Sequence, residues 1–270
     1  ERFINVGIAE NNMLGIATGL AMQGKEVYVY SIIPFLLYKS FEHIKNYIAT
    51  YNLNIKLIGA GGGFSYGPQG ISHNPVEDLG VLNLLPNIKL MTPGTKKQTS
   101  KSIDIMMKTK GCFYIRLGKL PKIILNEKIS NFKLGNPIKI KTGKEITIIC
   151  HGNIIENVLE ASLKLKKQGL TSTVFAYLNI KPLNSNFLYK NLNFNSKIFC
   201  VEEHSQIGGL GSIIANSLID FYDKKIFFKK IAIKDENQLK IGSQAYLRKC
   251  NGLDSKSIER EILYAFKKNK

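Results

Sequence analysis

The chain is short of acids, cysteines and long apolar runs, and each shortage closes off a class of protein. No apolar stretch approaches the roughly 20 residues that cross a bilayer, and no signal-peptide pattern is present, so no membrane association is expected. The four cysteines, Cys112, Cys150, Cys200 and Cys250, are far apart, with no Cys-x-x-Cys and no histidine at metal-ligand spacing. No metal site is expected from them. Three of them lie in or beside apolar strand-like runs, where cysteine acts as a small buried hydrophobe, and this usage fits a reducing cytoplasm. Acids number 20 against 38 lysines and arginines, a formal net charge of +18. The lysines are spread along the chain and no recognised motif gathers them, so nucleic acid is not an expected partner. Phosphorylated substrates, an acidic partner or a plain Lys- and Asn-rich bias account for the excess. Internal repeats and low-complexity tracts are lacking too.

What is present is an alternation of strands and helices over 270 residues, enough for two domains with a core each. Phe3, Ile4, Val6 and Ile8 alternate, which predicts an extended run. Met13, Ile16, Ala17, Leu20 and Ala21 then follow at the spacing of one buried helix face. Glu10 falls at the junction, where a helix dipole by itself favours a carboxylate. The chain opens on Glu1 inside this element, so a leading segment is expected to be absent.

Strands are predicted at 25–31, 54–60, 88–93 and 112–117, and helices at 35–50, 74–86 and 95–110. A glycine-rich loop, GGGFSYGPQG, fills 61–70. The polar, Lys-rich stretch 126–144 is the linker candidate. A second cycle then begins, with strands at 145–152, 171–177, 197–203 and 227–234, helices at about 154–168 and 212–222, and a last helix capped by Asp254. The fold class this gives is α/β, with two doubly wound, mainly parallel-sheet domains at 1–125 and 145–270.

Three segments carry a family resemblance. GIAENNMLGIATGLA (7–21) is similar to the segment of transketolase-family, thiamine-diphosphate enzymes that holds their activating glutamate. GGGFSYGPQGISHNPVEDLGVLNLLPNIKLMTPG (61–94) is similar to their Ser/Thr-His loop, and VYVYSIIPFLLYKSFEHIKN (27–46) to their aromatic strand-to-helix junction. Farther on, VEEHSQIGGLGSIIA (201–215) and DENQLKIGSQAYLRKCNGLDSKSI (235–258) resemble the family's C-terminal domain. The glycines of the first of these read as turn and packing residues, and His204 as a core, surface or cleft residue.

The resemblance implies that Glu10 hydrogen-bonds the aminopyrimidine ring of thiamine diphosphate. It implies that His73 handles protons beside the reactive thiazolium carbon, although a loop histidine capping the helix from Asn74 has the same local look. Phe35, or Leu36 with a one-residue offset, stacks on the pyrimidine. Arg116 and Lys119, after a strand end in YIRLGK, are candidates for a substrate phosphate or else solvated surface charges. Glu77 and Asp78 read as helix-start acids. Pentose-phosphate transketolases carry a histidine at the position of Gly61 and an aspartate near Gln69. Gln69 is therefore the candidate on the sugar side, and hydroxyl recognition is expected to differ.

No Gly-Asp-Gly motif for a diphosphate and its magnesium occurs here. The chain is thus expected to be the C-terminal subunit of a split transketolase, inactive alone. Its expected partner is a separate N-terminal subunit that binds the diphosphate and magnesium, the two pairing into a heterotetramer that works on small sugars. The alternatives are a deoxyxylulose-phosphate synthase-like enzyme, a 2-oxoacid dehydrogenase β subunit, or a regulatory module that keeps only the fold.

Overall fold

Strands apolar along their whole length must be covered on both faces, and such strands form the middle of both sheets here. The computed structural model describes residues 2–119, 121, 129, 132–193, 196–219 and 226–267. The first half runs α1 (Glu10–Met22), β1 (Val27–Ile32), α2 (Ile33–Leu37), α3 (Phe41–His43), β2 (Ile55–Ala60), α4 (Asp78–Asn83), β3 (Lys89–Met91), α5 (Lys96–Lys108) and β4 (Phe113–Leu117). The second runs β5 (Ile138–Lys141), β6 (Ile146–His151), α6 (Ile155–Lys167), β7 (Ser172–Tyr177), β8 (Asn179–Lys181), α7 (Ser185–Asn191), β9 (Lys197–Ser205), α8 (Leu210–Ile219), β10 (Phe228–Ile233), α9 (Gln244–Cys250) and α10 (Ser255–Lys267). The two five-stranded sheets have the orders β1-β2-β4-β3-β8 and β10-β9-β6-β7-β5. All pairings are parallel except β3 with β8 and β5 with β7. The α/β class with two mainly parallel sheets is what the alternation predicts.

In register, Ser31 lies opposite Gly59, and Gly59 opposite Arg116. The C-terminal ends of β1, β2 and β4 therefore stop at one level, which is where open parallel sheets place their sites. Cys112, Cys150 and Cys200 are buried and Cys250 is exposed. The Asp254 carboxylate accepts the N–H groups of Lys256 and Ser257 at 3.1 and 3.2 Å and caps α10 as expected. Among the described residues no helix is long and apolar enough to cross a membrane.

Several expectations need correction. Residues 3–8 form no strand, and Phe3, Ile4 and Ile8 are exposed, because among the described residues no strand pairs with them. The buried face of α1 is Leu14, Ala17, Thr18 and Ala21, while Ile16 is exposed. The helix expected at 35–50 is broken: α2 ends at Leu37, and α3 passes into a π-helical stretch, Ile44–Ala49. The helix expected from Asn74 starts only at Asp78, since 74–77 is held as loop.

The two halves are also less separate than the linker suggests. Ile138–Lys141, inside the expected linker, pairs with β7, and β8 of the second half extends the first sheet beside β3. The expected boundary at 125 lies outside the described residues.

Candidate active site

α2 starts directly where β1 ends, with Pro34 in its first turn, a position that spares the missing N–H. This short helix turns Leu36 and Leu37 fully into the core and leaves Phe35 half-buried. Of the two candidates, Leu36 is therefore a core residue and Phe35 the one with exposed ring surface. Across from it, the loop after β2 ends in a 3₁₀ turn, Ile71–His73, that brings the imidazole edge-on to the Phe35 ring. Their centroids are 5.2 Å apart and their planes 86° to one another, a favourable aromatic geometry. His73 Nδ1 lies 3.0 Å from the Ser72 hydroxyl.

Glu10 is the first residue of α1, half-buried, and its carboxylate accepts the Ser31 hydroxyl at 3.1 Å. Ser31 stands near the end of β1, just before the helix that carries Phe35. The carboxylate, the phenyl ring and the imidazole therefore share the C-terminal edge of the first sheet. Ser31 is the hydrogen-bond donor that Glu10 meets among the described residues, which leaves its second oxygen free for a ligand. Gln69 is exposed on the Gly67–Gln69 turn that precedes His73. Lys119 is exposed just past β4, with its backbone N–H donated to Ser65 Oγ at 3.3 Å and its carbonyl accepting Asn153 Nδ2 at 2.9 Å.

Arg116 is neither a free phosphate ligand nor a solvated surface charge. It is 6% exposed, and its Nε donates to both oxygens of the fully buried Asp78, at 2.9 and 3.2 Å. Its Nη2 donates to the carbonyls of Pro75 and Glu203 at 2.9 and 3.2 Å. Burial by itself would lower the guanidinium pKa, but Asp78, Tyr114 and Glu203 outweigh it and the net shift is upward. The Tyr114 hydroxyl completes the Asp78 cluster at 2.7 Å. Asp78 is the helix-start acid of α4, as expected, and also an internal counterion, whereas Glu77, at the N-cap position, is exposed and accepts the Tyr38 hydroxyl at 2.8 Å.

Sequence reasoning missed the buried acids of β9. Glu203 is 2% exposed and accepts the Phe64 N–H at 2.6 Å, Gln244 Nε2 at 3.0 Å and Arg248 Nε at 2.6 Å. Glu202 accepts the N–H groups of Leu210 and Gly211 at 2.8 and 2.9 Å, so the glycine turn before α8 closes on a carboxylate. His204 is fully buried; its Nε2 accepts the Gly80 N–H at 3.3 Å while Nδ1 meets the Ser205 carbonyl at 2.9 Å. The available signal was adjacency. Two consecutive acids within an apolar strand paired on both edges point to opposite faces, and both have to be buried.

A half-buried aromatic ring, a carboxylate and a histidine gathered at the edge of a parallel sheet make the candidate site of an α/β subunit. Residues 1–121 match the pyrimidine binding domain of transketolase and residues 136–258 match the transketolase C-terminal domain. The chain belongs to the transketolase family. It is 32% identical to an apulose-4-phosphate transketolase subunit of Actinobacillus succinogenes, over 96% of this chain and 83% of that protein. It is 31% identical to the corresponding apulose-4-phosphate transketolase subunit of Phocaeicola vulgatus, over 99% of this chain and 85% of that one. Among solved structures, a split-gene transketolase described as an inactive β4 tetramer superposes with a TM-score of 0.85 at 29% identity, over 98% of this chain and 83% of that chain.

Proposed function

We propose that this chain is the C-terminal subunit of a split, thiamine-diphosphate-dependent transketolase that transfers a two-carbon ketol unit between sugar phosphates. The observation that carries the reading is the convergence of Glu10, Phe35 and His73 beside an uncovered apolar rim. Phe3, Ile4 and Ile8, just before α1, and Ile16, in its middle, are all exposed, and Ile8 is 96% exposed. Apolar surface of this kind, gathered beside a half-formed site, is the mark of an interface. The proposed occupant is the subunit that binds the diphosphate and magnesium, and a heterotetramer is the expected assembly. A cytoplasmic location suits the free thiols.

The residues present fit the cofactor. A carboxylate oxygen without a partner and a half-buried ring suit a flat heterocycle that has hydrogen-bonding nitrogens. When bound, thiamine diphosphate supplies the carbon nucleophile that carries the two-carbon unit. Glu10 would meet a ring nitrogen of the pyrimidine through the carboxylate oxygen that no described residue contacts, holding the ring in place. Phe35 gives the pyrimidine an apolar face without adding a competing charge. His73 exchanges protons with oxygens of the sugar, its ring oriented by Ser72 and Phe35. Lys119 serves the substrate phosphate in place of Arg116, and Gln69 serves a sugar hydroxyl.

The test is reconstitution with the diphosphate-binding subunit encoded by the same organism, assayed on a panel of ketose phosphates. Turnover is expected only with both subunits, cofactor and magnesium present. Pyruvate-dependent carbon dioxide release without ketol transfer would contradict the reading, as would full turnover by this chain alone.

A further inference from the structure

We propose that the second domain acts on the chemistry by fixing the loop that carries His73, with Glu203 as the positioning residue. The inference rests on the proton-transfer reading of His73 given above. The loop 61–77 is rich in glycine, so its sequence does little to define its own path. At its start Gly61 and Gly62 donate to the Leu117 carbonyl of the first sheet, at 2.8 and 3.0 Å. Beyond that point the first domain holds it at Ser65, through the Lys119 N–H, and at Pro75, and the second domain holds it at three further places. Phe64 N–H donates to Glu203, Gly242 N–H to the Gly67 carbonyl at 3.3 Å, and Ser205 N–H to the Val76 carbonyl at 2.6 Å. Arg116 ties the Pro75 carbonyl to the Glu203 carbonyl. His73 thus sits between two anchored segments, 64–67 and 75–76.

Among the second domain's contacts with the loop, the one made by the Glu203 carboxylate is charged and directional. Its own orientation is locked from behind. Arg248 pairs with it and in turn donates to Asn157 at 2.8 Å and Asn153 at 3.0 Å, while Gln244 takes the oxygen shared with Phe64. Gly63, at φ +63°, lies so close that a Cβ there would stand 2.5 Å from Glu203 Oε1. The loop backbone is pressed directly onto the carboxylate. A buried ion pair is a poor means of adding stability, since packed apolar residues usually serve as well. Its value here lies in presenting one oxygen at a fixed point to the start of a loop where the flanking N–H groups, of Gly63 and Ser65, bond to the loop's own backbone.

The test separates reach from charge in the two-subunit complex. Glu203→Asp keeps the charge for Arg248 but falls one methylene short of the Phe64 N–H. Glu203→Gln keeps the reach but loses the charge. Amide hydrogen exchange across 61–77, thermal stability and steady-state kinetics are measured for both. Glu203→Asp is expected to speed loop exchange more than Glu203→Gln does, while Glu203→Gln costs more thermal stability. In Glu203→Asp, kcat should fall about 10–100-fold, the range for an ångström-scale misplacement, with cofactor affinity within about twofold of wild type.

Gly63→Ala should give the same faster exchange and lower kcat from the loop side. A purely structural role would rank the variants the same way in exchange and in stability, and that ranking would overturn the proposal. So would unchanged loop exchange in folded Glu203→Asp and Gly63→Ala, or faster exchange with kcat intact. Full turnover by His73→Ala would overturn the reading of His73 instead, and the exchange data would still decide whether Glu203 holds the loop.

Discussion

Replacing Asp78 with alanine is expected to destabilise the fold rather than alter substrate handling. The carboxylate is fully buried and takes a bifurcated hydrogen bond from the single N–H of Arg116 Nε and one from the Tyr114 hydroxyl. Without it the guanidinium stays buried and loses its counterion, a loss worth about 3–5 kcal/mol for pairs of this kind. For a cooperative unit of this size that corresponds to a fall of roughly 6–20 °C in Tm. Tyr114→Phe removes one donor and leaves the ion pair, so its cost should be smaller, about 1.5–3 kcal/mol. The double variant Asp78→Leu with Arg116→Met should recover much of the loss, because apolar residues of similar volume often replace a buried pair at little cost. A double-mutant cycle by urea denaturation, with sugar-phosphate kinetics alongside, measures the coupling. Arg116→Met with full thermal stability and a raised KM for a phosphorylated donor would refute this reasoning and return Arg116 to the substrate.

Adjacent residues on α2 should separate in their effects. Phe35→Ala is expected to weaken cofactor binding about three- to tenfold with little loss of stability, whereas Leu36→Ala should cost about 2–5 kcal/mol of stability. Titration calorimetry on the complex and urea midpoints on this chain check the pair, and the opposite assignment would show that Leu36 faces the ligand. Lys119→Gln should raise KM about three- to tenfold for phosphorylated donors and leave unphosphorylated ones unaffected, as expected for an exposed charge; equal effects on both would remove it from the phosphate site. Lys56 is fully buried, its ammonium donating to Asn54 and to the carbonyls of Thr109 and Gly111, and burial pushes its pKa down from 10.5 to about 8. Between those values the unfolded chain binds a proton that the folded chain does not, so this contribution to stability is complete above 10.5 and lost as pH falls through about 8. Lys56→Met should flatten the rise in urea midpoint from about pH 7.5 to about pH 9.5; parallel slopes would contradict it.

Central strands were legible because burial on both faces forces an unbroken apolar run, as in Ile146–His151, where every residue is buried. Glu10, Phe35 and His73 could be picked out because each sits in its own short segment that resembles the transketolase family. Their mutual placement could not, since it depends on β1 and β2 lying side by side. The same limit explains Arg116, whose counterion lies 38 residues earlier in the chain and declares itself only when β4 passes behind α4. Residues 3–8 misled for a different reason: alternation shows what a segment is able to pair with, not whether a partner strand is supplied by the same chain. The Lys-rich stretch containing Ile138–Lys141 reads as linker because an edge strand exposes one side and tolerates lysines there.

The central claim is that Glu10 works on a cofactor shared with a second polypeptide. The most direct measurement is ketol transfer by the reconstituted complex carrying Glu10→Ala, with assembly checked by light scattering. The complex is expected to assemble normally with kcat lower by about 10²–10⁴-fold, the range for losing a positioned proton-transfer group. An assembled Glu10→Ala complex turning over at the wild-type rate would contradict the claim.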